Sequence, residues 1–305
     1  MVNYLIASNI IFFLATIFSG GFTLSNLLRW GAKFGPLIAN GEWQRLLICI
    51  FLHGNLWHLF FNLYALYYLG RMAEEIYGYR KFFGIYIVSG LSGSILSYLL
   101  NYSQIGVGAS GAIFGLAGAI FASGLKYRHT SLHQVGMNLL PFILINLLIG
   151  AFSPAIDNAA HLGGVLSGML LGWIVSPGTS WIRWKRTLEE VLYWVTIAFV
   201  VFAMLTFFVP NLASGKASID KIVTFHNEAQ KILLKIELGF PPSPLEVEKL
   251  SPPDRKAREI KELLLTFLEE GGKNPVLQRE IEEKFLSWRE EILDKYQGII
   301  LEKSP

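Results

Sequence analysis

Long apolar stretches separated by short polar connections occupy the first two thirds of the chain. A bilayer core about 30 Å thick requires about 20 apolar residues from each helix that crosses it. Seven stretches have roughly this length, and the sequence predicts a membrane-spanning helix in each of them: approximately 2–19, 50–70, 82–101, 109–125, 136–152, 158–176 and 189–209. The longer connection at about 20–49 carries aromatic and basic residues, which predicts a segment lying in the membrane interface.

The last third of the chain shows a different pattern, with apolar residues at helical spacing on a charged background. This pattern predicts helices over 219–238, 254–270 and 275–303, separated by prolines and by the pair Gly271-Gly272. We find no catalytic motif there and expect a small helical bundle or a flexible arm. The predicted fold class is therefore all-α: a polytopic membrane helical bundle followed by a soluble, mainly helical tail.

Composition supports this division of the chain. Only 11 of the 26 Lys and Arg residues, and only 6 of the 23 Asp and Glu residues, lie within residues 1–210. The formal net charge of +3 comes without any long basic stretch, which argues against a nucleic-acid partner. The single cysteine, Cys49, excludes an intrachain disulfide and a cysteine zinc cluster.

The basic residues of the short loops predict the orientation of the helices. With the N-terminus inside, the inner loops carry Arg71, Arg80, Lys81, Lys126, Arg128, Arg183, Lys185 and Arg186, and the outer connections carry Arg29, Lys33 and Arg45. Because Lys and Arg concentrate on the cytoplasmic side, we expect a cytoplasmic N-terminus and, after seven spans, a tail outside the cytoplasm. The absence of an Arg- and Ser-rich transit pattern favours a prokaryotic plasma membrane.

Two polar residues in the apolar spans carry candidate chemistry. Ser110 lies in the run Gly108-Ala109-Ser110-Gly111-Ala112, and His161 precedes Leu162-Gly163-Gly164 in another span. Each is 16 residues from the inner end of its helix, or roughly 24 Å at 1.5 Å per residue, so both side chains are predicted at one depth. A serine needs a base to take its proton, and polar residues at membrane depth usually mark function. Small residues at this spacing also simply pack helices, which is the competing interpretation of Ser110.

The second span adds two possible hydrogen-bond donors. His58 and Asn62 are four residues apart and therefore share one helical face. Together with the backbone N–H of Ser110 they could stabilise a developing oxyanion, although a polar patch that fixes helix packing is the alternative. His53 lies nearer the outer surface, where we expect it to hold the local loop together.

Other hydrolytic chemistries lack the residues they need. The sequence contains no H-E-x-x-H motif, and one aspartate in the membrane domain, Asp157, cannot form an aspartyl dyad. Asp157 precedes His161 by four residues, which suggests a triad, but capping of the helix is the interpretation we favour. His129 and His133 have no third ligand nearby in sequence, so we predict no metal site.

Taken together, the motifs of this sequence resemble those of the rhomboid family of intramembrane serine proteases. They are Trp43-Gln44-Arg45, His53…His58…Asn62, Glu74…Gly78, Gly108-Ala109-Ser110-Gly111-Ala112 and Ala160-His161…Gly164. The resemblance covers about residues 1–176 and implies Ser110 as nucleophile, His161 as general base without an acid, and His58, Asn62 and the Ser110 N–H as oxyanion hole. It also implies a first-loop motif at Trp43 and Arg45 and a structural polar site at Glu74. Some members carry a tyrosine where this chain has Phe114, whose ring can still pack against an imidazole.

The sequence thus predicts a serine endopeptidase that cleaves transmembrane segments of other proteins and needs no metal or other cofactor. We expect a six-helix protease core at 1–180, a seventh transmembrane helix at 181–210 and an extracytoplasmic tail at 211–305. The expected partners are transmembrane protein substrates and the lipid bilayer, and the sequence does not set the oligomeric state. The alternative is a rhomboid-like protein that binds transmembrane helices without cutting them, whereas a transporter would carry polar residues through several spans.

Overall fold

The computed structural model describes residues 1–39, 41–153, 156–175, 177–178, 183–211, 215–240 and 242–295. Within these residues the chain is helical, apart from turns and one isolated antiparallel bridge between Lys33 and Gly106. The helices are α1 (Val2–Phe18), α2 (Leu24–Arg29), α3 (Gly35–Ala39), α4 (Arg45–Ile48), α5 (Leu56–Tyr77), α6 (Tyr79–Leu100), α7 (Ser110–Lys126), α8 (Ser131–Ala151), α9 (Asn158–Ile174), α10 (Arg183–Asn211), α11 (Gly215–Glu237), α12 (Pro244–Glu248), α13 (Arg255–Glu269) and α14 (Pro275–Lys295). The fold is an all-α polytopic membrane bundle.

The chain forms two compact units, residues 1–207 and 208–305. Among the described helices, α6, α8 and residues 186–208 of α10 are each long and apolar enough to cross a bilayer, and the bent pair α4–α5 would add a fourth span. Helices α1 and α7 are apolar but have only 17 residues, about 25 Å of helix. The number of seven spans therefore stays a prediction.

The start of the second long helix differs from the predicted stretch at 50–70. Helix α5 begins only at Leu56, because Asn55 caps it by accepting a hydrogen bond of 2.8 Å from the backbone N–H of His58. The preceding residues belong to α4 and a 3-10 turn, and the chain bends by 90° between the two segments. The apolar run is interrupted at this bend by His53-Gly54-Asn55, a helix-start signal that the predicted stretch at 50–70 passed over.

Helix α7 is the centre of the membrane unit. Most of its residues are buried, and it packs against α5, α6, α8 and α9. Glycines make the closest of these approaches possible, since a Cβ at three positions of α9 would lie under 3.0 Å from carbonyl oxygens of α7. The three pairs are Gly164 with Gly111, Gly168 with Gly115, and Gly172 with Ala119. Backbone thus lies directly on backbone along α7 and α9, which run parallel.

Two polar contacts join the C-terminal ends of α7 and α9. Lys126, the last residue of α7, donates a hydrogen bond of 2.6 Å to the carbonyl of Trp173 near the end of α9. One turn earlier in α7, the Ser123 hydroxyl donates to the carbonyl of Gly172 at 2.8 Å. The predicted matched depth counted 16 residues from His161 to the end of its helix, whereas α9 already ends at Ile174, 13 residues after His161.

Arg45 organises the long first connection. Its buried guanidinium donates to the carbonyls of Leu28 and Ala32 at 2.7 and 3.0 Å and pairs with Glu42 at 2.6 Å. The neighbouring Trp43 stacks on Phe199 of α10, with ring centroids 5.9 Å apart. The connection is therefore a folded segment with its own hydrogen bonds, and its predicted place in the membrane interface stays a prediction.

The second unit has a core of its own. Its described helices approximate the predicted ones, with α11, α13 and α14 at 215–237, 255–269 and 275–295 and the short α12 in addition, while residues 296–303 lie outside the described residues. The core contains Phe225, Phe267, Phe285 and Trp288, all nearly fully buried. His226 lies among these rings, 5.6 Å from that of Phe285, and burial lowers its pKa from the ordinary value.

The contact between α7 and α9 generates a prediction for Gly168→Ala. Its Cβ would force the two backbones apart, so we expect a loss of about 1–3 kcal/mol in the free energy of unfolding. The measurement is thermal unfolding of the purified protein in detergent. The matched control is Gly84→Ala in α6, where a Cβ meets nothing within 4 Å and should not destabilise. Equal unfolding temperatures for the two variants would contradict a close backbone contact between Gly168 of α9 and Gly115 of α7.

Candidate functional site

Ser110 and His161 lie in hydrogen-bond contact. The Ser110 Oγ is 2.9 Å from the His161 Nε2, within the range of a strong O–H to nitrogen hydrogen bond. Ser110 is the first residue of α7, and His161 lies in the first turn of α9. The close packing of these two parallel helices brings their N-terminal turns, and so the two side chains, together.

An aromatic ring orients the imidazole. The ring of Phe114 is stacked on that of His161 with centroids 4.2 Å apart and an angle of 15° between the planes. Phe114 lies one helical turn after Ser110, on the same face of α7. The second ring nitrogen of His161, Nδ1, is buried and has no hydrogen-bond partner among the described residues. Stacking, rather than an acid, therefore holds the ring in this structure.

Asp157 caps α9, as expected from its position. Its carboxylate accepts a hydrogen bond of 3.2 Å from the backbone N–H of Ala160, and its own carbonyl accepts the backbone N–H of His161. The same carboxylate accepts hydrogen bonds from the side chains of Ser97 and Asn101. Asp157 thus supports the helix that carries His161, and its described hydrogen bonds do not include the imidazole.

His58 lies beside Ser110, with Gly108 between them. A Cβ on Gly108 would be 2.7 Å from the His58 Nε2 and 3.8 Å from the Ser110 Oγ. Gly108 also has a φ of +126°, a backbone conformation that a residue with a side chain rarely adopts. Its N–H donates to the carbonyl of Cys49 at 2.9 Å, which fixes the turn. Glycine at this position keeps the space next to the serine hydroxyl open.

Asn62 lies one turn further along α5. Its side-chain N–H donates to the carbonyl of His58 at 2.8 Å, and its Oδ1 is buried without a hydrogen-bond partner among the described residues. The described side-chain hydrogen bond of Asn62 therefore stays within α5 and does not reach Ser110. His53 is fully buried beneath His58, with ring centroids 5.1 Å apart in a T-shaped arrangement.

The remaining predicted motif residues make contacts that hold helices and the first connection together. Glu74 accepts a hydrogen bond of 3.1 Å from the backbone N–H of Val2, so it joins α5 to the start of α1. Trp43 and Arg45 hold the first connection, and Gly111 and Gly164 lie in the contact of α7 with α9. The structural role that the sequence assigned to these residues stays a prediction.

Sequence reasoning missed a buried polar cluster next to the site. Lys33, which we counted only as a charge of the outer connection, has an exposed fraction of 1% and contacts Ser97, Asn101 and Asp157. A partial signal was present in the sequence, because Ser97 and Asn101 are four residues apart at the end of an apolar helix. The pairing with Lys33 spans more than 60 residues and has no local signal.

Residues 40–178 match the family model described as the Rhomboid domain. This segment of the chain is a rhomboid domain. It is 39% identical over 183 residues to the Rhomboid protease GluP of Bacillus subtilis, covering 60% of this chain and 36% of that protein. It is 37% identical over 163 residues to RHOMBOID-like protein 5 of Arabidopsis thaliana, covering 51% of each chain. The Rhomboid-like protease 1 of Toxoplasma gondii is 34% identical over 167 residues, or 52% of this chain and 57% of that protein.

These comparisons bear on the fold and the membrane. The chain spans between about a third and a little more than half of the length of these relatives. The rhomboid domain and the apolar helices support a multi-pass integral membrane protein. All the predicted site residues, from Trp43 to Gly164, lie within the matched segment, whereas Lys33 and the tail lie outside it.

The geometry around Gly108 generates a second prediction. Gly108→Ala should displace His58 and strain the turn before Ser110, so we expect labelling of Ser110 by a fluorophosphonate probe to slow at least tenfold. The control is Gly54→Ala, whose Cβ would meet only a Val107 methyl group at 3.9 Å. Labelling rates are measured at a temperature where both variants are folded. If both variants reacted like wild type, Gly108 would not be needed to keep the site open.

Proposed function

We propose that this protein is an intramembrane serine endopeptidase that cleaves transmembrane segments of other membrane proteins. The observation that carries the proposal is the 2.9 Å contact between the Ser110 Oγ and the His161 Nε2 at the ends of two helices in a rhomboid domain. A serine next to an imidazole is the arrangement that makes a hydroxyl nucleophilic. One of the relatives is named a rhomboid protease and another a rhomboid-like protease.

The proposed reaction has two stages. The Ser110 Oγ attacks the carbonyl carbon of the scissile peptide bond while the His161 Nε2 takes the hydroxyl proton. The protonated imidazole then gives this proton to the leaving amine, which leaves an acyl group on Ser110. A water molecule, deprotonated by His161, attacks the acyl carbon and releases the new carboxyl end, and the serine regains its proton.

Donors for the oxyanion of the intermediate lie around Ser110. The backbone N–H of Ser110 is one of the first in α7 and has no partner within the helix. His58 presents its Nε2 next to Gly108, and in the tautomer with the proton on Nε2 it donates. Asn62 joins them if its amide turns away from the His58 carbonyl, which it contacts in this structure. Such preorganised donors are each worth on the order of 10²–10³ in rate.

The substrate must present an unwound backbone to this site. A helix hides its carbonyl groups in its own hydrogen bonds, so the scissile segment has to be extended locally. We therefore propose a preference for small or helix-breaking residues near the cleavage site. The proposed arrangement of domains is a protease core at 1–180, a seventh transmembrane helix at 181–210 and a soluble tail at 211–305.

The proposed orientation follows from the loop charges. We place the N-terminus in the cytoplasm and the tail outside it, because basic residues concentrate in the loops that would then be internal. The relatives come from a bacterium, a plant and a parasite, and one plant relative is named mitochondrial. They do not select a membrane, so the prokaryotic plasma membrane is proposed on the sequence alone.

The test compares wild type with Ser110→Ala and His161→Ala in detergent, using a panel of fluorogenic transmembrane substrates and a fluorophosphonate probe. We expect cleavage and labelling by wild type and a loss of about 10⁴-fold or more in each variant, because the two residues act as one unit. Asn62→Ala should lose about 10²–10³-fold in cleavage rate.

The matched control is Ser167→Ala, which removes a hydroxyl that bonds to the carbonyl of Gly164 in α9. We expect it to cleave and react like wild type. Cleavage that persisted in Ser110→Ala would contradict the assigned nucleophile. A folded wild type that neither cleaved nor reacted with the probe would favour a rhomboid-like protein that binds transmembrane helices.

A further inference from the structure

Lys33 is an amine buried beside the candidate site. Its side chain is 1% exposed, and its Nζ donates to the Ser97 Oγ at 2.7 Å and to the carbonyl of Asn101 at 2.9 Å. The same nitrogen lies 4.0 Å from the carboxylate of Asp157. A buried ammonium is costly unless it is paired and its hydrogen bonds are made. This one has a hydroxyl, a carbonyl and a carboxylate around it.

The side chain of Lys33 is connected to His161 through Asp157. Asp157, the cap of α9, is held by Ser97, Asn101 and Lys33 on one side and holds the first turn of α9 on the other. The backbone carbonyl of Asp157 accepts the N–H of His161 at 3.2 Å. The position of the imidazole therefore depends on where this carboxylate is anchored.

The backbone of Lys33 is connected to the segment before Ser110 through Gly106. Its N–H donates to the carbonyl of Gly106 at 2.9 Å, and its carbonyl accepts the N–H of Gly106 at 3.0 Å. Gly106 lies four residues before Ser110. It packs against Lys33 and Asp157, since a Cβ at this position would be 3.1 Å from the Lys33 Cε and 3.2 Å from the Asp157 Oδ2. Lys33 thus reaches both segments that lead into the site, each at a point four residues before the reacting side chain.

We propose that Lys33 is a positioning residue that locks the first turns of α7 and α9 together and so keeps Ser110 and His161 in hydrogen-bond register. The effect of Lys33 on catalysis rests on the proposed protease function, whereas its joining of the first turns of α7 and α9, which we call the lock, does not depend on that function. Glycine contacts fix the spacing of the two helices along their lengths. Lys33 fixes their outer ends, where misplacement by about 1 Å can cost about 10²-fold in rate.

The experiment uses the full chain and four variants. Lys33→Met removes the ammonium, and Asp157→Asn keeps a capping side chain but removes the charge. The double variant Lys33→Met with Asp157→Asn leaves no unpaired charge, so it folds even if a single variant does not. The control Ser123→Ala removes a buried hydroxyl from the inner end of the same α7–α9 contact. All are compared below their unfolding temperatures.

Two measurements separate the lock from the proposed function. Hydrogen exchange of residues 109–114 and 158–164 reports the lock without any activity, and kcat and KM with a fluorogenic substrate report its consequence. For Lys33→Met we expect faster exchange in both segments, a fall in kcat of roughly tenfold to 10²-fold and little change in KM. In the Asp157→Asn background the same substitution should add little, because both act through one contact.

The outcomes are distinct. Ser123→Ala should lower the unfolding temperature with no change in kcat or in exchange at the two segments. If Lys33→Met and the double variant behaved like Ser123→Ala, Lys33 would serve stability alone and the proposal would be overturned. Effects of Lys33 and Asp157 that multiplied would also overturn it. A wild type without activity would remove the proposed function, while faster exchange in both segments of Lys33→Met would still support the lock.

Discussion

The close contact of α7 with α9 is the interaction on which the rest of the membrane unit depends. Apolar burial gives little drive for helices to associate in lipid, so packing between small residues and interhelical hydrogen bonds must hold them. Here glycines of α9 lie on carbonyl oxygens of α7 over three successive turns, with no room for a single methyl group. Contacts this close permit only one register of the two helices. That register puts the first residue of α7 next to the first turn of α9.

Two groups of polar side chains lie at opposite ends of the contact between α7 and α9. At the C-terminal ends of these helices, Lys126 and Ser123 bond to carbonyls of α9. Near their N-terminal ends, Lys33, Ser97, Asn101 and Asp157 form one connected cluster. Because an unsatisfied polar group in a nonpolar surrounding costs several kcal/mol, each cluster strongly favours the arrangement that completes it. The two clusters therefore hold the helix ends, while the glycines between them set the spacing and the register of the two helices.

The sequence predicted the parts of the site that have local signals. Ser110 and His161 stand out as polar residues among small ones. Their contact does not come from the equal distances to the helix ends that the sequence suggested, because α9 ends at Ile174, but from the glycine contacts that align α7 with α9. His58 and Asn62 were visible as a pair at helical spacing. The bend before Leu56 was missed, although His53-Gly54-Asn55 interrupts the apolar run there and Asn55 caps the next helix. Lys33 was also missed, because its partners are 64 residues away or more and only the folded chain brings them together.

Three helices begin at the site, and this shared geometry has an electrostatic consequence. His58 lies in the first turn of α5, Ser110 begins α7 and His161 lies in the first turn of α9. The start of a helix carries unpaired N–H groups and a partial positive charge. In the proposed reaction, such convergence favours an anionic intermediate next to Ser110 but disfavours the positive imidazolium that would form at the same moment. Phe114 offers its ring face to that cation, and the carboxylate of Asp157 lies one turn away. Lys33 lies 4.0 Å from this carboxylate, so in the proposed reaction its charge would offset part of the support that Asp157 gives to the imidazolium.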